Sequence, residues 1–250
     1  MTAAARNPLR RRLLGGPVSP VRAVVLLSGG LDSSTALGIA RTKGREVYAL
    51  TVDYGQRHRK EVAAAKKVAK HLDAKDHTVL KIDLAQLGGS ALTNRTIAVP
   101  ERRSIEEIGE GIPPTYVPAR NTILLGLALA YAESLDADEI YIAANVLDSS
   151  GYPDCRPEFY DAFRSVARLG TKRGVEGRPI HIHTPLIHMT KADIVRTGAK
   201  LGVPFELTWS CYHGRQKACG VCDSCQLRLK GFREAGIEDP IPYERPPPKR

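Results

Sequence analysis

An α/β fold is what this sequence predicts: an open, mostly parallel sheet of five strands with helices on both faces, and a small four-cysteine knob towards the C-terminus. Three observations lead there. Short apolar runs alternate with helix-patterned segments along the chain, as expected for parallel strands covered on both sides. The first apolar run opens straight into a glycine–serine turn followed by a helix. Four of the five cysteines crowd into residues 211–225.

The elements follow in order. Residues 23–27, all apolar, form the first strand, and residues 32–41 the helix after it, closed by Gly44. Residues 47–54 make a second strand, the Ala/Lys/Glu-rich residues 59–72 a helix, and residues 77–84 a third strand. A Gly/Pro-rich connection spans residues 88–118. Connections of that length inside a compact domain are commonly lids or binding loops. Residues 121–135 form an apolar helix, 139–144 a fourth strand, 157–169 a helix, 180–186 a fifth strand and 191–201 a helix ending at Gly202. Such sheets bind ligands at the carboxyl ends of their strands, where strand order reverses.

A chain of 250 residues with 42% hydrophobic content can bury a full core. No segment reaches the ~18 uninterrupted apolar residues of a membrane span, so a cytoplasmic protein without a membrane partner is expected. The formal charge of +10 is concentrated at the ends: residues 1–22 carry +5 and residues 244–250 carry +2, leaving +3 for the body. That distribution argues against a basic nucleic-acid face. The expected organisation is a flexible basic extension (1–21), a nucleotide-binding α/β domain (22–206), a metal-binding subdomain packed on it (207–243) and a flexible tail (244–250). No apolar core follows Arg10-Arg11-Arg12, so a twin-arginine export signal is not expected. A disordered extension is the plainer reading, with an organellar transit peptide as the alternative.

The turn after the first strand reads Ser28-Gly29-Gly30-Leu31-Asp32-Ser33-Ser34. Two glycines permit a backbone in which successive N–H groups converge on one anion. The helix N-terminus adds partial positive charge, and the serines add hydroxyl donors. This is a phosphate cradle, but no Lys-Ser/Thr pair follows as in a Walker loop, and the G-x-G-x-x-G spacing is absent. The wording resembles the PP-loop of N-type ATP pyrophosphatases, which hold the pyrophosphate of ATP and transfer AMP to an acceptor oxygen. The resemblance implies a PP-loop or HUP-like, Rossmann-like domain, with ATP held by Leu27, Ser28, Gly29, Gly30, Leu31, Asp32, Ser33, Ser34, Thr35, Ala36 and Leu37.

Cys211, Cys219, Cys222 and Cys225 are spaced C-x7-C-x2-C-x2-C. Thiolates so close can close a tetrahedral Zn²⁺ site with no open position, hence one structural ion per chain. An iron–sulfur cluster is the competitor, although the Cys-Pro ending of the ferredoxin run is missing. Visible charge-transfer absorption would count against zinc.

With these motifs the chain resembles the QueC family of the queuosine pathway. The likeness runs from Arg22 to about Tyr243. It includes Asp53-Tyr54-Gly55-Gln56-Arg57-His58, Val117-Pro118-Ala119-Arg120-Asn121, Asp148-Ser149-Ser150-Gly151-Tyr152-Pro153-Asp154-Cys155-Arg156-Pro157, Thr184-Pro185-Leu186, Lys191, Ser210-Cys211-Tyr212 and Cys219-Gly220-x-Cys222-Asp223-Ser224-Cys225. Ala119 departs from the pattern, standing where the family usually has glycine. The resemblance implies 7-carboxy-7-deazaguanine, ammonia and ATP as substrates, the nitrile as product, bound zinc and a homodimer.

Chemistry assigns provisional roles. A carboxylate must be adenylated before ammonia can displace oxygen from it, and the resulting amide must be adenylated again to leave a nitrile. Two ATP per nitrile are therefore expected, each giving AMP and pyrophosphate. Asp32 orients the loop or meets the Mg²⁺ that accompanies ATP, and Ser33 helps hold the pyrophosphate. Arg120 and Lys191 are the candidates for offsetting phosphate or carboxylate charge. Arg57, His58, Asp148, Asp154 and Arg156 are the candidate substrate residues, the two aspartates as acceptors for a guanine-like edge. Cys155 is expected to be a buried spectator, and His181 and His183 to pack on one face of the fifth strand. The alternatives are an adenylating enzyme acting on tRNA, a relative that attaches a deazaguanine to a macromolecule, and a zinc-ribbon nucleic-acid module; direct nucleic-acid binding is not expected.

Overall fold

The computed structural model describes residues 20–147 and 151–245. Asp148, most of the N-terminal extension and residues 246–250 lie outside them. The strands are β1 (Arg22–Leu26), β2 (Glu46–Asp53), β3 (Asp76–Lys81), β4 (Glu139–Tyr141) and β5 (His181–His183). They form one sheet in the order β3-β2-β1-β4-β5, and every neighbouring pair is parallel. The chain starts in the middle, builds outward to β3, then crosses back to place β4 on the other side of β1. The order therefore reverses between β1 and β4, and a crevice opens beyond their carboxyl ends.

Residue alternation along β1 sorts the core. Ala23 and Val25, continued by Leu27, face one side and pack with Leu37 and Ala40 of α1 (Leu31–Thr42) and with Ala65 and Val68 of α2 (Lys60–His71). Val24 and Leu26 face the other side, against Leu125 and Ala128 of α4 (Arg120–Ser134) and Tyr160 and Phe163 of α5 (Pro157–Leu169). Each Leu, Ile or Phe fully buried in these layers contributes about 1.5–3 kcal/mol. The short α3 (Ile105–Gly109) lies in the long connection. Ser104 and Glu107 close a reciprocal capping box at its start.

A third layer stands beside α1. There α7 (Lys191–Lys200) packs on α1 through Gly198, where a methyl group would lie 2.8 Å from the Thr35 hydroxyl and 2.5 Å from the Phe205 ring. α8 (Asp223–Ala235) then covers α7, and Gly231 lets the stem of Lys191 pass beneath it. A one-turn helix, α6 (Lys172–Val175), leads into β5.

Residues 207–245 close over the sheet's carboxyl end. Trp209 N–H donates to the Gly29 carbonyl at 2.9 Å, and Arg102 N–H donates to Val221 O at 2.8 Å. Arg228, almost fully buried, pairs with Asp239 through two bonds of 2.7 and 2.9 Å and also reaches Thr208 Oγ1. Glu244, expected in a flexible tail, is held by hydrogen bonds. Glu244 N–H donates to Ala218 O at 2.8 Å, and its carboxylate accepts from Arg215.

Sequence and structure differ chiefly in what was too short or too polar to stand out. β4 and β5 are three residues each, shorter than expected; Ile142 and Ala143, expected in the fourth strand, line the cavity beyond it. α8 was not anticipated. Its first turn overlaps the cysteine cluster, which hides the helical period.

Candidate active site

Beyond β1 and β4 lies a cavity of 320 Å³. Its floor is the β1–α1 turn: Leu27, Ser28, Gly30, Leu31, Asp32 and Ser33 all line it. Gly29 has φ +85, and a side chain there would strike the Glu61 carbonyl at 2.3 Å. The turn is thus pressed against the first turn of α2 in a conformation that favours glycine. Ser28 and Ser33 hydroxyls meet at 2.9 Å, and Ser33 Oγ also accepts from Ser28 N–H. The first N–H groups of α1 have no intrahelical acceptor and point to the same floor. Gly30, the N-cap, supplies no side chain to occupy them.

The later residues expected at the nucleotide lie behind the cavity lining. Ser34 is buried with its hydroxyl turned back to Gly30 O at 2.8 Å, and Thr35 Oγ1 donates to Leu31 O. Ala36 and Leu37 belong to the core. Of α1, only Leu31, Asp32 and Ser33 line the cavity.

Lys191 and Asp32, from α7 and α1, meet beside the loop. The ammonium lies 2.9 and 2.8 Å from the two carboxylate oxygens. Both residues line the cavity. The pair places a cation beside the phosphate cradle and fixes the loop's acid.

Arg120 faces this floor from across the cavity, at the start of α4. Its guanidinium lies over the Tyr54 ring, 5.9 Å from the centroid, and its buried Nε has no hydrogen-bond partner. Burial raises the Tyr54, Tyr152 and Tyr212 phenols above their ordinary range, so they stay neutral in the wall. The residue before Arg120 explains a departure noted in the sequence. Ala119 has φ 51 and ψ 25, the left-handed conformation that glycine takes without strain. Ala119→Gly should relieve about 1–2 kcal/mol of strain, offset by about 0.4–1 kcal/mol of added unfolded-state entropy. A higher midpoint in thermal or urea unfolding is the expected result.

Several substrate candidates are placed elsewhere. Arg57 donates to Ala91 O, Asn94 O and Ile97 O, stapling the long connection rather than facing the cavity. His58 Nε2 donates to Cys211 O at 2.9 Å, tying α2's entry to the cysteine loop. Asp154 is buried, with Oδ2 accepting from Asn121 N–H at 3.0 Å. A carboxylate at that position satisfies a first-turn donor of α4 and offsets its dipole, which positions Arg120. Arg156 is exposed and donates to Pro153 O at the rim of a shallow depression that also includes Asp154. Hydrogen bonds with the backbone hold these four outside the cavity lining. Cys155 is buried at its edge, 3.5 Å from Asn121 Nδ2. His183 stacks on Tyr141 at 4.7 Å, while its neighbour His181 is exposed.

The cavity also holds residues not singled out from the sequence. Arg103, from the long connection, pairs with the buried Asp223 through Nε at 3.2 Å and a second contact at 2.5 Å. Asp223 follows Cys222 directly, so the cysteine motif carried a signal for it, and the length of the connection flagged Arg103's segment. Glu61, in the first turn of α2, lines the cavity too. Burial pushes its carboxyl up to about 7 against the opposing pull of Arg120. Nothing in an Ala/Lys/Glu helix marked this one glutamate.

The four cluster cysteines are buried and unpaired as disulfides, with all four sulfurs within 4.8 Å of one another. Tetrahedral coordination with metal–sulfur bonds of ~2.3 Å requires sulfurs about 3.8 Å apart. Cys219 and Cys225 sulfurs are 3.9 Å apart. Backbone N–H groups of Val221 and Cys222 point at Cys219 Sγ, and that of Cys219 at Cys211 Sγ, as suits thiolates. Hydrogen bonds from Cys222 and Cys225 hold Cys211 far below the ordinary thiol range. The donor set fits a single soft dication. No helix among the described residues is long and apolar enough to cross a membrane.

With this geometry in view, residues 22–236 match the family described as "Queuosine biosynthesis protein QueC". A 7-cyano-7-deazaguanine synthase of Anaeromyxobacter sp. (strain Fw109-5) is 59% identical over 223 residues, spanning 89% of this chain and 96% of that protein. One of Thermoplasma volcanium is 57% identical over 228 residues, 91% of this chain and 93% of its own. One of Methylobacillus flagellatus is 59% identical over 224 residues, with coverage of 89% and 96%.

Proposed function

Because this chain belongs to the QueC family of queuosine biosynthesis proteins, we propose that its cavity joins a deazaguanine acid to ammonia at the expense of ATP. The chain is an ATP-dependent ligase, and its product in this reading is 7-cyano-7-deazaguanine. The substrates in this reading are 7-carboxy-7-deazaguanine, ammonia and ATP with Mg²⁺. One observation carries the assignment of chemistry to place: a glycine-lined turn, the Lys191–Asp32 pair and Arg120, whose buried Nε has no acceptor, line a single cavity.

The roles follow from position and charge. Ser28, Ser33 and the first N–H groups of α1 hold the pyrophosphate, whose departure pulls adenylation forward. Lys191 offsets phosphate charge while Asp32 keeps it aligned. Arg120 holds the acid's carboxylate in its planar fork. An acid oxygen attacks the α-phosphorus, ammonia then displaces AMP, and the amide oxygen undergoes the same transfer before leaving to give the nitrile.

Zinc is the metal in this reading. Sulfurs confined within 4.8 Å surround one ion, whereas a cluster of several irons would spread them further apart. A complete set of four thiolates leaves no open position, so the ion is structural. A cytoplasmic site of action fits cysteines that must stay reduced. The reading includes a homodimer, for which exposed Val166, Leu169 and Val175 offer apolar surface.

The test is isotopic. Acid labelled with ¹⁸O in both carboxylate oxygens, incubated with ATP and ammonium, should give unlabelled nitrile and two AMP, each with one labelled oxygen. Formation of ADP and phosphate, or of AMP without label, would overturn the reading.

A further inference from the structure

Three carboxylates line the cavity among the described residues: Asp32, Asp223 and Glu61. Asp32 is held by Lys191, and Asp223 by Arg103. Glu61 alone of the three has neither a hydrogen bond nor an ion pair to its carboxylate among them. Its placement is tightly defined. Its own carbonyl abuts Gly29 of the nucleotide loop, and Trp209, Tyr54 and Arg120 line the same cavity. A carboxyl with no hydrogen bond or ion pair of its own therefore stands beside the nucleotide loop.

The reaction supplies a cation to match. At neutral pH its nitrogen source is almost entirely ammonium, which has no lone pair and cannot attack a carbonyl carbon. Arg120 would also repel it from the cavity unless an opposing charge drew it in. We propose that Glu61 is the ammonium site: its carboxylate binds the cation beside the nucleotide loop and accepts one of its protons. This rests on the adenylation reading above. An N–H bond breaks and the proton passes to a Glu61 oxygen. The freed nitrogen pair forms the C–N bond, and the C–O bond to the adenylate breaks as AMP leaves with its electrons. The nitrogen then sheds a second proton to solvent, and Glu61 releases its own before the next cycle.

Two assays separate this role from others. Exchange of labelled pyrophosphate into ATP, dependent on the acid and run without ammonium, reports adenylation alone. Product formation with hydroxylamine, already uncharged at neutral pH, bypasses the need for an ammonium site. Glu61→Gln should keep exchange within about twofold, lose on the order of 10²-fold or more in kcat/KM for ammonium, and lose far less with hydroxylamine. Glu61→Asp should fall between the variant and the parent for ammonium. Loss of exchange together with amination in Glu61→Gln would overturn the proposal, because Glu61 would then serve the acid, the nucleotide or the fold. Equal losses with both nucleophiles would overturn it as well. Absence of acid-dependent exchange in the unaltered protein would instead remove the adenylation reading itself, and this proposal with it.

Discussion

Replacing Arg120 with lysine is expected to lower kcat/KM for the deazaguanine acid by about 10²–10³-fold, the usual loss when an aimed charge donor is removed. The argument begins from an energetic anomaly. Arg120 is a guanidinium in a wall of neutral tyrosines, with no ion pair among the described residues and with a buried Nε that lacks an acceptor. A buried donor left unsatisfied costs about 1–3 kcal/mol, and more when charged. Such a group persists where a ligand supplies the missing partner. Lysine would keep the charge but lose the planar fork that meets two oxygens at once. Arg120→Met makes the complementary prediction: activity falls further, while the ligand-free protein melts at a higher temperature because a buried N–H without an acceptor is gone. Steady-state kinetics and a thermal melt of the same two variants check both halves. A methionine variant that is both inactive and less stable would mean that Arg120 is chiefly a structural residue.

Stripping the metal, or replacing Cys222 with serine, is expected to destabilise the protein by at least ~4 kcal/mol, in the range reserved for a lost metal or network. Cys222 is fully buried and is the N-cap of α8. Releasing it frees Asp223, and with it the partner of Arg103. The damage should also reach the nucleotide. Trp209 lies between Lys60, 3.7 Å from its ring centre, and the Gly29 carbonyl that it holds. Its indole N–H donates to Cys211 O. Chelation followed by denaturant melts and an ATP-binding titration should show the two losses together. Full ATP affinity in the metal-free protein would break the link between knob and loop. Elemental analysis of the untreated protein should return one zinc per chain and no iron.

Legibility in the sequence followed local chemistry. The β1–α1 turn and the four cysteines were readable because their function lies in consecutive backbone or closely spaced thiols. Five strands and their direction followed from short apolar runs between helices. What the sequence does not display is which candidate side chains a distant backbone group engages. Arg57, His58 and Asp154 occupy motif segments near the crevice, yet carbonyls of residues 91, 94, 97 and 211 and the N–H of Asn121 engage them. Glu61 and Arg103 posed the converse problem. Each is an ordinary charged residue in a charged stretch until α2 turns one, and the long connection the other, into the cavity. Ala119 was visible as a departure, and its positive φ gives the physical reason a glycine suits that position.

The roof over the nucleotide turn has a consequence for biosynthesis of the chain itself. Trp209, Asp223 and Arg228 all line the cavity that β1 and its turn begin, so the floor is synthesised well before the roof. Proteins are synthesised from the N-terminus and fold domain by domain as they emerge. A nascent chain on the ribosome holds the phosphate-gripping turn long before it holds the segment that shelters it. Until residues 209–228 have been made and have docked, the turn lacks the Trp209, Asp223 and Arg228 side chains that line the cavity with it.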